Sequence, residues 1–269
     1  MSYQEVLYEV ADAIATVTLN RPERLNAWTD VMAGELYDAM RTAAGDSRVR
    51  VIVLAGAGKA FSVGADMDAL AHIDPGALMT KLPRAFDMRV RADYQTRCAY
   101  PAAVPKPIVA MHRGATAGVA LLHALFCDVR FAAEDALFTT AFARIGLGAE
   151  YGAAWILPRI VGHANALDML LSGRRVDARE ALRMGLVNQV HPAEKLAEAT
   201  YAYAREIAER ASPRATRAIK HQLWEAPFQT LAEAVNLSAA DMLEAVRSAD
   251  FREGLAAFRE KRPPRFTGD

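Results

Sequence analysis

The chain has 269 residues, 52% hydrophobic and 24% charged, and its 32 basic and 32 acidic side chains cancel to zero net charge. That balance excludes the clustered basic surplus of a nucleic-acid binder. Two cysteines, Cys98 and Cys127, supply neither a disulfide framework nor a metal-ligand cluster. No run of about 18 uncharged apolar residues is present to cross a bilayer, and Met1–Glu5 lacks a basic segment leading into an apolar core. A cytoplasmic protein with no membrane partner is expected.

Ala13–Leu19 alternates and is β-branched, which predicts a strand. Thr29-Asp30 caps a helix running to about Ala44, and Val49–Leu54 is the next strand. Strand, helix, strand points to a right-handed, mostly parallel α/β arrangement. Residues 56–80 are rich in Gly, Ala and Asp, and residues 84–100 read as a helix after Pro83. Pro107–Met111 is a short buried strand, Gly114–Gly118 a small-residue turn, and Ala117–Phe126 an apolar helix. Such a turn presents unpaired N–H groups at a helix N-terminus, where the dipole favours negative charge. Cys127–Ala132 reads as another strand, and Tyr151–Ile160 as a helix entered through a glycine-broken loop. Asp177 caps a helix over 178–184 that Gly185 ends, and 186–190 is a short extended piece. Helices near 193–210, 213–224, 229–246 and 248–260 complete the chain. The shift from mixed to helical composition near residue 190 divides a core over 1–190 from a helical subdomain over 191–269.

Two nucleotide motifs fail on spacing. Gly56-Ala57-Gly58-Lys59 suggests a phosphate loop, but Val53 stands where its first glycine is needed, and Ala60 follows the lysine. Gly146-Leu147-Gly148-Ala149-Glu150-Tyr151-Gly152 approaches a dinucleotide fingerprint, but its third glycine comes one residue late and no clear first strand precedes it. No His/Cys/Asp/Glu grouping has zinc-like spacing.

Six segments, in one order and spacing, resemble the crotonase (enoyl-CoA hydratase/isomerase) superfamily from about Val6 to Phe266. They are Asn20-Arg21-Pro22 with Leu25-Asn26-Ala27; Phe61-Ser62-Val63-Gly64-Ala65-Asp66; Lys106-Pro107; Gly114 with Gly118; Cys127-Asp128; and Leu157–Gly162. The resemblance implies a spiral of strand–strand–helix units forming two sheets, with a helical C-terminal region that assembles trimers or dimers of trimers. It implies an acyl-CoA substrate and no separate cofactor or metal.

By the same resemblance, the N–H groups of Ala65 and Val119 form an oxyanion hole for the thioester oxygen. Val119 stands where the family commonly has glycine, which keeps the donor but narrows the pocket. The two glutamates of typical hydratases fall on Leu122 and Phe142, and neither side chain can move a proton. Glu150 is the candidate replacement. It lies eight residues beyond Phe142, at a loop position where peroxisomal-type isomerases carry a glutamate base and the chlorobenzoyl-CoA dehalogenase a nucleophilic aspartate. Arg24 faces the CoA phosphates, Ala27 and Met67 border the site, and Asp66 orders its loop. Asp68 and Tyr151 are positioned to touch substrate, and Phe258 and Lys261 to close the CoA site of a neighbouring subunit. His112 and His123 read as satisfied core or pocket-wall histidines.

Isomerisation through Glu150, atypical hydration, attack by the carboxylate on the substrate, and non-catalytic acyl-CoA binding all remain open at this stage.

Overall fold

The computed structural model describes residues 3–71, 86–87 and 90–269. Its main sheet has six strands in the order β1 (Val6–Ala11), β2 (Ile14–Leu19), β3 (Val51–Gly56), β4 (Ile108–His112), β6 (Val129–Ala133) and β9 (Gln189–His191). Only the β1–β2 pair is antiparallel. A second sheet joins β5 (Ala115–Ala117), β7 (Leu137–Thr139) and β8 (Val176–Asp177). The parallel strands read as near-continuous apolar runs because both faces are covered. Val51 to Leu54 and Ile108 to Ala110 are wholly buried.

Helix α1 (Asp30–Gly45) starts as expected, with the Thr29 hydroxyl accepting from Met32 N. It packs Met32, Leu36, Met40 and Ala43 into the core. The short α2 (Met67–Leu70) follows the loop after β3, and α3 (Gly118–Leu125) follows β5. Beyond β7 come α4 (Ala153–Val161), α5 (His163–Ser172) and α6 (Ala178–Arg183), the last capped by Asp177 through Glu180 N. The helices α7 (Leu196–Arg210), α8 (Pro213–Glu225), α9 (Leu231–Ala245) and α10 (Ala249–Glu260) complete the chain. Ala204 and Ala208 of α7 share a core with Ile14, Val51, Val53 and Val109 of the sheet. On α8, buried Lys220 donates to Pro101 O, Lys106 O and Asp128 Oδ2. Asp128 also accepts from Ile108 N, so the Cys-Asp pair fixes the start of β4.

Three expectations change. Within 84–100 the described residues form no continuous helix, only a 3-10 turn over Ala92–Tyr94 and another starting at Tyr100. Its parts at 84–85 and 88–89 lie outside the described residues. Here Gln95 satisfies the backbone instead, accepting from Phe86 N and donating to Asp87 O. Residues 115–117, expected as a turn, form β5 because they pair in register with β7. Helix α4 begins at Ala153, so Glu150 lies on the loop ahead of it rather than beside its first residue.

Candidate active site

The site is built on a close approach of two backbones. Ser62 N donates to Ala115 O and Ala117 N donates to Ser62 O, so the loop after β3 runs alongside β5. Gly64 has φ +88°, and a Cβ there would lie 2.9 Å from Ala117 O and 3.7 Å from Gly118 Cα. Glycine is therefore what lets this loop lie against the start of α3.

The residues that follow these two glycines, Ala65 and Val119, each carry an N–H with no acceptor among the described residues. For Ala65 the cause is strand geometry. Trp28 pairs with it by donating to Gly64 O at 2.8 Å and accepting from Asp66 N at 3.0 Å, which leaves Ala65 N–H facing the other way. For Val119 the cause is its place as the second residue of α3, where helix N–H groups have no partner one turn back. Two free donors on adjoining backbones, one at the positive end of a helix, can hold a negatively charged oxygen.

A second layer fixes this loop. Asn26, fully buried with φ +55°, donates to Ala57 O and Ala60 O and accepts from Arg21 N. The Ser62 hydroxyl donates to Asn26 O at 2.6 Å. Asp66 accepts from Asp68 N and from Arg21, which orders the loop as expected of an aspartate in a turn. The sequence marked Asn26 as part of a motif, but its structural role shows only in the long-range bonds. Trp28 went unremarked, and no local pattern would have singled it out.

The side-chain half of the site differs in character. Leu122 and Phe142 are buried in one apolar cluster and offer no proton. Glu150 is half-buried, and its carboxylate has no hydrogen-bond or ion-pair partner among the described residues. Burial alone pushes its pKa above the ordinary glutamate value. Its carbonyl accepts from Ala153 N, and the next two residues, Tyr151 and Gly152, take left-handed φ values of +45° and +83°. A left-handed tyrosine stores backbone strain of a kind found at functional sites.

The other expected residues are placed as follows. Arg24 is half exposed and reaches Asp68 at 2.9 Å and Asp66 at 3.8 Å. Ala27 is buried, with its carbonyl accepting from Arg21, and Met67 is exposed at the start of α2. Tyr151 packs against both large apolar clusters. Phe258 and Lys261 stand exposed at the end of α10, with no hydrogen bond or ring contact to these loops. The histidines need correction. His112 Nδ1 meets the Thr116 hydroxyl at 3.1 Å, but among the described residues its Nε2 and both nitrogens of His123 have no partner. Burial pushes the Cys98 and Cys127 thiols up to about 12, which leaves them unreactive. Among the described residues, no group of three or more His, Cys, Asp or Glu could hold a metal ion. Nor is any described helix long and apolar enough to cross a membrane.

The chain belongs to the enoyl-CoA hydratase/isomerase family, whose model matches residues 9–269, and it has the crotonase fold. Members of this family are lyases or isomerases acting on CoA thioesters. The chain is 39% identical to the "Probable enoyl-CoA hydratase" of Rhodobacter capsulatus, over the full length of both. It is 35% identical to the 1,2-epoxyphenylacetyl-CoA isomerase of Escherichia coli, over 98% of each. Among solved structures, an enoyl-CoA hydratase subunit from Geobacillus kaustophilus superposes with a TM-score of 0.88 at 31% identity, over 99% of each chain.

Proposed function

We propose that the protein is an acyl-CoA isomerase of the single-carboxylate kind, in which Glu150 moves a proton and the N–H groups of Ala65 and Val119 hold the enolate. What supports this reading is that Glu150 is an unpartnered, partly desolvated carboxylate, while the two positions that carry acids in typical hydratases are here the apolar Leu122 and Phe142. Glu150 takes a proton from the carbon next to the thioester carbonyl. The electron pair moves onto the carbonyl oxygen, between the two N–H donors. Protonated Glu150 then returns the proton two carbons further along, the double bond shifts and the thioester reforms. The steps balance without any oxidant, water or further cofactor.

Glu150→Gln keeps the shape but cannot accept a proton at neutral pH. Turnover on enoyl-CoA thioesters should fall by about 100- to 10,000-fold with binding nearly unchanged. Wild type should also exchange the substrate's acidic proton with deuterated solvent, and the variant should not. Full activity in Glu150→Gln would remove the base from the reading, and a wild type inert across an enoyl-CoA panel would favour a non-catalytic binder.

Assembly belongs to the same proposal. Leu231, Val235, Met242 and Leu243 of α9 and Phe258 of α10 are exposed apolar side chains, which supports a trimer or dimer of trimers. Sedimentation equilibrium at micromolar concentration should give that mass, and a monomer would exclude it.

A further inference from the structure

Two arginines reach the loop that carries Ala65, and they differ in how firmly they are held. The Arg24 side chain is 52% exposed, whereas that of Arg21, just beyond β2, is 18% exposed. Arg21 Nη1 donates to Ala27 O at 2.7 Å and to Asp66 Oδ2 at 3.2 Å. Its Nε pairs with Glu5 Oε1, also at 3.2 Å. Its backbone is pinned as well: Arg21 N donates to Asn26 Oδ1, and Arg21 O accepts from Arg24 N and Asn26 N. Glu5 is fixed in turn, accepting from the Thr29 hydroxyl that caps α1 and donating its own N–H to Glu35. The guanidinium therefore grips its partners from an anchored base, and it cannot swing away without breaking several bonds.

Where these bonds fall decides what they do. Trp28 and Ala65 pair as an isolated bridge, with Trp28 N donating to Gly64 O and Asp66 N to Trp28 O. Ala27 immediately precedes one member of that bridge, and Asp66 immediately follows the other. A single nitrogen of Arg21 thus ties the two segments together beside the pairing that turns Ala65 N–H outward. Charge adds to the geometry. Asp66 accepts from Asp68 N to order the turn, but it also places a carboxylate one residue from the Ala65 donor. A negative charge there opposes an oxyanion, and the permanently protonated guanidinium of Arg21 offsets it.

We propose that Arg21 is a positioning residue for the reaction, acting through Ala27 and Asp66 to hold Ala65 N–H on the thioester oxygen. The inference rests on the oxyanion reading above and adds to it a residue outside the hole itself. Lysine at this position keeps the charge, but a compact ammonium cannot reproduce the planar fork that meets Glu5, Ala27 O and Asp66 together. The bridge then loses its clamp while the charge balance stays. A donor misplaced by about 1 Å costs about 100-fold in rate, much as its outright loss does. Val119 N–H is held by α3 and by none of these bonds, so one half of the hole should survive.

The test is infrared difference spectroscopy of bound acetyl-, hexanoyl- and phenylacetyl-CoA, isotopically labelled at the thioester carbonyl carbon, read beside turnover of enoyl-CoA thioesters. In wild type the carbonyl stretch should fall in frequency on binding, because two donors draw electrons onto the oxygen. Arg21→Lys should lose much of that shift and about 100-fold in kcat, with KM nearly unchanged and the acidic limb of the pH profile in place. Arg174→Lys is the control, since Arg174 grips Asp168 and Glu180 at 2.7 Å each, away from these loops. It should lose thermal stability to a similar extent and keep both the stretch and kcat, a separation that a merely structural Arg21 would not show. Asp66→Asn keeps the shape and an acceptor for Asp68 N but drops the ion pair, and it repeats the test should Arg21→Lys fold poorly. A wild-type stretch in the folded variant overturns the inference and leaves the oxyanion hole standing, and so does a wild-type kcat. A stretch that does not move when wild type binds overturns the oxyanion reading, and the inference with it. Failure of all three thioesters to bind overturns the acyl-CoA reading itself.

Discussion

The two halves of the candidate site are made of different materials. The donors at Ala65 and Val119 are backbone groups, held by the contact of Gly64 with Ala117 and Gly118. Their side chains can change, as valine at 119 illustrates, without removing an N–H. The proton-transfer half is made of side chains, and there substitution is absolute: Leu122 and Phe142 cannot substitute for an acid. A fold that keeps its oxyanion geometry in the backbone can move its acid from one loop to another. On the proposed reading, that contrast lets a site with neither usual glutamate keep the two backbone donors.

The most severe way to break the contrast is to restore the missing acid. Leu122 has no exposed surface, and α3 packs it among Phe142, Ile156 and Leu157. Leu122→Glu buries a carboxylate without a partner, and such changes destabilise by about 3–5 kcal/mol. Denaturant midpoints should drop accordingly, and the substitution should not rescue Glu150→Gln. Rescue would show that the side-chain half is as portable within the old positions as between loops.

Next in size is the backbone half. Gly64→Ala places a methyl 2.9 Å from Ala117 O at a φ of +88°, so the loop must move off α3 and take Ala65 N–H with it. Loss of one such donor lowers turnover by about 100-fold or more. Gly118→Ala is the control. Its φ is +51°, but a Cβ would meet nothing nearer than 3.9 Å. It should cost about 1–2 kcal/mol of stability for the left-handed conformation while keeping most activity. Equal turnover losses in the two variants would dissolve the distinction between close approach and backbone strain.

Ala65 and Val119 came from the family resemblance, whereas the apolar runs of β3 and β4 and the Thr29 and Asp177 caps were legible because their causes act within a few residues. What was hidden is long-range. Residues 98–104 are buried one after another, so their apolar content mimics a helix although packing on every side holds them in turns. Strand β5 exists only through its pairing with β7. The His123 ring packs against those of Trp28 and Tyr100, each more than twenty residues away in sequence, and no spacing rule joins them.

The pH dependence sharpens the side-chain half. Desolvation raises the Glu150 pKa, so in the proposed role the carboxylate would be a base only above that raised value. The acidic limb of kcat/KM should lie above the ordinary glutamate range and vanish in Glu150→Gln. The stability sign is the reverse of a salt-bridged acid. Folding favours the protonated form, so stability from this group is full below the unfolded pKa and declines as pH rises through the folded one. Glu150→Gln should therefore leave neutral-pH stability unchanged or slightly higher, and a loss would mean that the carboxylate has a structural partner.

The smallest effect belongs to Arg24. Its guanidinium is half exposed and pairs with Asp68, itself 87% exposed, at 2.9 Å. Exposed pairs of this kind contribute about 0–1 kcal/mol, so Arg24→Ala should scarcely alter unfolding. If the side chain instead serves the CoA phosphates, the loss falls on binding: KM rises several-fold, kcat holds, and the difference from wild type shrinks as salt is added. Arg24→Lys separates charge from geometry, since an ammonium keeps the attraction but not the paired donors. A KM unchanged at low salt in Arg24→Ala would leave Arg24 as a partner of Asp68 and Asp66 only. The phosphate contact would then have to come from another part of the assembled protein.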